Sequence, residues 1–169
     1  ILLSKNYSFW PLVEKLNYIR EIYLFNSNKI SFSNYSHWYK NRFIFLESIT
    51  VSKMNLRNVE DLNIDFKQTY YLHTIDLSVN LIEFIKKNYF IKAMKLTFLN
   101  LSHNLIYQIE IDSFFTDQML TILDLSFNNI SNLENNYFKV VYLNLTGNNL
   151  SYFDNCSFIL ISLDRLLNA

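Results

Sequence analysis

The sequence predicts an α/β solenoid, with a parallel sheet along one side and short helices or irregular turns along the other. Three observations point there. Segments 72–82 (LHTIDLSVNLI), 96–106 (LTFLNLSHNLI), 120–130 (LTILDLSFNNI) and 140–150 (VVYLNLTGNNL) share the pattern L-x-x-L-x-L-x-x-N-x-L, with aliphatic substitutes at some Leu positions. The anchoring asparagines Asn80, Asn104, Asn128 and Asn148 recur at spacings of 24, 24 and 20. Half of the 169 residues are hydrophobic, enough to fill a continuous core.

Each part of the pattern has a physical reading. Within 120–130, Leu123 and Leu125 point one way while Ile122, Asp124 and Ser126 point the other, as a strand requires. One such strand cannot bury its apolar side alone, so copies stack in register and the Leu columns become a shared core. The repeated Asn stands where the chain leaves the strand. Its amide both donates and accepts, so Asn80, Asn104, Asn128 and Asn148 are expected to satisfy backbone groups of adjacent turns as a ladder. A single glycine, Gly147, and a single proline fit turns set by that ladder.

The longer half of each repeat is expected to return on the outer side. Ile109 and Phe115 follow Asn104, Leu133 and Phe138 follow Asn128, and Phe153 and Phe158 follow Asn148. Before the first strand, Phe9, Leu12, Val13 and Leu16 fall at helical spacing. Helical or irregular turns are wider than strands, which would make the sheet the concave face.

Two ragged copies precede the regular ones. Residues 46–56 (LESITVSKMNL) carry Met54 where Asn belongs, and a thioether cannot donate, so this turn is expected to be the weak joint. Residues 19–30 (IREIYLFNSNKI) carry one extra residue before Asn28. Leu163 and Leu166 open a partial seventh copy from about residue 160. The chain reads as one repeat domain over 1–169. It starts at Ile1 without the charged, apolar and small-residue sequence of a secretory leader, and is read as a fragment of something longer.

These repeats resemble the leucine-rich-repeat family. The length near 24 with a Phe in the outer half is similar to the animal extracellular subfamily, including insect leucine-rich immune proteins and Toll-like receptor ectodomains. The resemblance implies protein–protein recognition on the concave face, in innate immunity or cell adhesion, by a secreted or cell-surface protein. An intracellular scaffold or substrate-selecting subunit is the alternative.

Outward on that face, one column reads Thr50, Asp76, Asn100, Asp124 and Asn144, where Asp or Asn is repeat consensus. The column two residues earlier reads Ser48, Thr74, Phe98, Ile122 and Tyr142. Phe98, Ile122 and Tyr142, with Phe127 at the strand end, are the candidate partner-binding residues, alongside Asp76 and Asp124. Exposed apolar groups of this kind mark interaction sites; cover by flanking loops and a Phe/Tyr-rich composition are the competing explanations.

Seven N-x-S/T sequons occur, at Asn6, Asn34, Asn100, Asn129, Asn144, Asn149 and Asn155. The repeat itself writes N-L-S and N-L-T, so Asn6, Asn34 and Asn155 are the glycosylation candidates. Cys156 is the single cysteine: a buried thiol, or an intermolecular disulfide to a missing segment or partner.

Other classes are disfavoured. Fifteen basic residues balance fifteen acidic ones, which argues against a nucleic-acid partner. No apolar run is long enough to insert in a membrane. One glycine cannot build a phosphate-cradling loop. His37, His73 and His103 belong to no metal-binding cluster. Asp76 and Asp124 lie two repeats apart, about 10 Å at ordinary strand spacing. Ser102–His103 is mere adjacency. No metal, cofactor or catalysis is expected.

Overall fold

The computed structural model describes residues 2–3, 18–25, 44–62, 64, 66, 69–114, 120–133, 138–151 and 158–160. The chain is a parallel β solenoid. Among the described residues, the main sheet has eight strands in chain order. They are β1 (Leu2–Leu3), β2 (Glu21–Phe25), β3 (Ser48–Ser52), β4 (Thr74–Asp76), β6 (Phe98–Asn100), β8 (Leu120–Asp124), β9 (Phe138–Asn144) and β10 (Phe158–Leu160). Two short strands, β5 (Phe84–Ile85) and β7 (Gln108–Ile109), pair parallel in a second sheet. Every pairing is parallel.

The register follows from the alternation of side chains. Ile22, Ile49, Ile75, Leu99, Leu123 and Leu143 form one inward column, with consecutive members paired directly. Leu24, Val51, Leu77, Leu101, Leu125 and Leu145 form the next, and all twelve are buried. A slip of one residue would turn both columns outward, so the burial of this face specifies the pairing. Each repeat then adds a Leu or Ile two residues past its turn: Leu56, Ile82, Ile106 and Ile130, all buried.

The return side keeps the expected short helical and irregular turns and adds a pair of short strands that was not expected. Among the described residues it carries a 3-10 turn at Val59–Leu62 and the second sheet, in which the buried Ile85 and Ile109 pair directly. Short strands form there because consecutive repeats keep the same length, so their return segments also meet in register. Beyond them runs a spine of phenylalanines. Phe66, Phe90, Phe114 and Phe138 are buried, with ring centroids 6.1, 6.1 and 5.7 Å apart in order. Phe114, not its neighbour Phe115, holds this position; Phe138 also opens β9 rather than lying in a helical return. Ile109 and Leu133 are buried.

Phe115, Phe153 and the Phe9–Leu16 segment lie outside the described residues. So do Leu163 and Leu166, although β10 pairs with Phe138–Val140, twenty residues earlier in the chain. Among the described residues, no helix is long and apolar enough to cross a membrane.

Candidate functional site

The site is built on a frame of asparagines. Asn104 accepts the backbone N–H of Ile82 at 3.1 Å and donates to the carbonyls of Leu77, Leu101 and Ser102. Asn128 repeats this set with Ile106, Leu101, Leu125 and Ser126. Asn148 does so with Ile130, Leu125 and Leu145. Asn80 accepts from Met54 and Leu56 and donates to Val51, Leu77 and Ser78. Thus Leu77, Leu101 and Leu125 each present one carbonyl to two successive asparagines. Asn80, Asn104 and Asn128 are buried, where unpaired polar groups would be costly.

A second set of side chains closes each turn from the outward face. Asp76, Asn100, Asp124 and Asn144 each accept the backbone N–H two residues on, at 2.9, 3.0, 2.9 and 3.1 Å. Asp124 also accepts from Ser126 Oγ, and its second oxygen accepts from Asn144 Nδ2 at 3.3 Å. These residues are half-buried and stand in register across β4, β6, β8 and β9.

The adjacent outward column brings Phe98, Ile122 and Tyr142 together. Phe98 pairs with Ile122, and Ile122 with Tyr142. All three are half-buried. Thr74 and Ser48 continue the column towards β3. Two aromatic residues that sequence reasoning missed lie beyond them on β2. Tyr23 and Phe25 are half-buried, with ring centroids 6.4 Å apart, and pair with Thr50 and Ser52. The outward face therefore has an aromatic group on β2, a small polar stretch on β3 and β4, and the Phe98–Ile122–Tyr142 row. Alternation around Ile22 and Leu24 carries the signal for Tyr23 and Phe25; the extra residue before Asn28 obscured the register.

Phe127 stands at the strand ends in a different conformation. Lys53, Val79, His103 and Phe127 have φ values of 56°, 55°, 54° and 53°, and Gly147 has 74°. Each precedes the ladder position of its repeat. This left-handed turn swings their side chains outward: Phe127 is 51% exposed and stacks flat on His103, with centroids 4.5 Å apart. At the opposite strand ends, Tyr18, Phe45 and Tyr71 form a further row, with centroid distances of 5.1 and 6.0 Å. Each immediately precedes a buried aliphatic, Ile19, Leu46 or Leu72, just ahead of its strand.

A hollow beside the second sheet is lined by Arg57, Asn58, Glu83, Phe84, Tyr107 and Gln108. Arg57 and Glu83 are its charged residues, and it lacks a nucleophile paired with a base. Among the described residues, no group of three His, Cys, Asp or Glu is placed to hold a metal ion. Tyr89, among the described residues, shows a large perturbation of acidity. Its hydroxyl donates to the Val59 carbonyl at 2.7 Å, and burial first, then Glu60 and Asp61, push its pKa well above the usual range, so it stays a neutral donor.

The glycosylation candidates Asn6, Asn34 and Asn155 and the single cysteine, Cys156, lie outside the described residues. With one cysteine, the chain forms no disulfide within itself. Neither the models of known protein families nor the sequences of curated proteins match this chain.

Proposed function

We propose that the chain is a leucine-rich-repeat recognition module that binds another protein on a concave sheet face. The observation that carries this reading is the row of Phe98, Ile122 and Tyr142, side by side in one outward column and only half covered. Inward positions of the same strands already fill the core, so these side chains add no packing inside the solenoid. Burying each in a partner contributes roughly 1.5–3 kcal/mol. The leucine-rich type is supported by the fourfold L-x-x-L-x-L-x-x-N-x-L pattern and by the ladder bonds of Asn80, Asn104, Asn128 and Asn148. Resemblance to insect immune and Toll-like ectodomain repeats supports a secreted or cell-surface setting, in innate defence or adhesion.

The test combines two measurements on the full-length protein. Phe98→Ser with Tyr142→Ser should leave the melting temperature nearly unchanged and abolish recovery of the protein's cross-linked partner from its native cells. Unfolding of the double variant places these side chains in the core and overturns the assignment; full partner recovery moves recognition elsewhere. Secretory expression followed by glycosidase treatment should lower the mass at Asn6, Asn34 or Asn155. No mass change, together with cytosolic residence, supports an intracellular scaffold instead.

A further inference from the structure

The turn caps on the outward face separate what the fold needs from what it carries in addition. At Asn100 and Asn144 a neutral amide oxygen accepts the N–H two residues on, at 3.0 and 3.1 Å. At Asp76 and Asp124 a carboxylate oxygen makes the same bond at 2.9 Å. The turn thus requires an acceptor, which asparagine supplies equally well. The negative charge at Asp76 and Asp124 is additional to that requirement.

Among the described residues, no ion pair of either carboxylate answers it. One outward column reads Glu21, Ser48, Thr74, Phe98, Ile122 and Tyr142; the other reads Tyr23, Thr50, Asp76, Asn100, Asp124 and Asn144. Neither column contains a Lys or Arg, although the whole chain balances fifteen of each sign. The ion pairs Arg20–Glu47, Lys86–Glu60 and Lys87–Asp112 engage neither Asp76 nor Asp124. Two half-buried carboxylates are therefore held beside an apolar row, about 10 Å apart at two strand spacings.

We propose that the occupant of this face, taking the recognition role above as its basis, is a basic and apolar segment of another protein. Two Lys or Arg side chains about 10 Å apart meet Asp76 and Asp124, while apolar side chains between and beside them cover Phe98 and Ile122, with Tyr142 one strand beyond Asp124 at the end of the row. Charge complementarity selects the partner and the apolar row holds it. Phosphate-bearing polymers are repelled by the same carboxylates.

A set of helical peptides tests the charge separately from the face. Cations at i and i+7 of a helix lie about 10 Å apart, with i+3 and i+4 between them on the same side. The probes carry Phe and Leu at i+3 and i+4, and Arg, Gln or Glu at both i and i+7. The Arg peptide should bind the parent about tenfold more tightly than the Gln peptide, with the Glu peptide weakest. Salt should shrink that difference. Asp76→Asn with Asp124→Asn should reduce Arg-peptide binding to the Gln-peptide level with at most a small drop in the melt, because asparagine keeps both caps and gives up only the bond from Asn144 to Asp124. Equal binding of Arg and Gln peptides by the parent, undiminished Arg-peptide binding by the Asn variant, or binding of none of the peptides overturns the proposal. Phe98→Ser with Tyr142→Ser should weaken all three peptides. If it weakens them while charge has no effect, the recognition face stands without its basic partner. If it changes nothing while the peptides bind, the recognition face itself is overturned.

Discussion

The turns at Val51–Met54 and Leu77–Asn80 occupy the same place in successive repeats, yet they are satisfied differently. At Leu77, one carbonyl accepts from its own Asn80 and from Asn104 of the next repeat, each at 3.0 Å. At Val51, the carbonyl accepts from Asn80 at 2.7 Å, and the N–H groups of Met54 and Leu56 also go to Asn80. Each ladder asparagine thus serves the turn upstream of it as well as its own. The repeat without an asparagine at the ladder position is held there by its downstream neighbour. The N–H groups of Met54 and Leu56 thus have an acceptor, and slow exchange is expected at both, against the weak joint that the sequence suggests at this turn. What Met54 cannot supply is the amide that would reach upstream in turn.

The largest effect that sharpens this comparison belongs to the phenylalanine spine, which continues through both regions. Phe90 is fully buried between the rings of Phe66 and Phe114. Phe90→Ala should cost roughly 3–5 kcal/mol, the range for emptying an aromatic site that its surroundings fill only in part. Chemical denaturation measures it. A loss below about 1 kcal/mol would show that the return side contributes little, and that the sheet and its ladder hold the repeats alone.

Next in size are the asparagines. Asn104→Ala and Asn128→Ala should each destabilise by roughly 1–3 kcal/mol, because buried amide and carbonyl groups lose partners. The two sites share the Leu101 carbonyl, which accepts from both. Either single variant leaves that oxygen one donor, whereas the double variant leaves it neither. The combined loss should therefore exceed the sum of the singles by about 0.5 kcal/mol or more. Asn80→Ala should speed amide exchange at Met54 and Leu56, although neither position is altered. Unchanged exchange there would break the directional account of the ladder.

How much of this was legible depended on period. The inward columns could be read directly, since Leu123 and Leu125 alternate with Ile122 and Asp124 over a strand's length. The row of Phe98, Ile122 and Tyr142 followed from that register. The second sheet was not legible, because Phe84–Ile85 and Gln108–Ile109 are too short to show alternation. The sequence reading takes Phe115 for the outer half where the spine uses Phe114, because either of two adjacent phenylalanines fits a loosely spaced return; the constant spacing of Phe66, Phe90, Phe114 and Phe138 decides between them. The His103–Phe127 stack was hidden for another reason: it depends on a backbone conformation that residue type did not signal. Neither histidine nor phenylalanine marks a left-handed turn as glycine does.

That conformation gives the smallest and most discriminating comparison, between Gly147 and Val79. Both precede a ladder asparagine at positive φ, 74° and 55°. Glycine adopts this region freely, whereas a β-branched side chain crowds the backbone there. A methyl group built on Gly147 would also stand 2.6 Å from Phe127 Cδ1. Gly147→Ala should then cost about 1–2 kcal/mol, part from backbone strain and part from displacing the Phe127 ring from His103. In a Phe127→Ala background the second part vanishes, and the cost should fall to the strain alone. Val79 is exposed, and its N–H and carbonyl bond to Ser102 and Lys53 through the backbone, so its side chain can change without breaking those links. Asparagine tolerates the left-handed region well, and Val79→Asn should stabilise the protein by about 0.5–1 kcal/mol. Thermal melts of the two variants should move in opposite directions. If both fall, the turn at Val79 draws stability from its side chain that outweighs the strain, and the two repeats are not equivalent at this position.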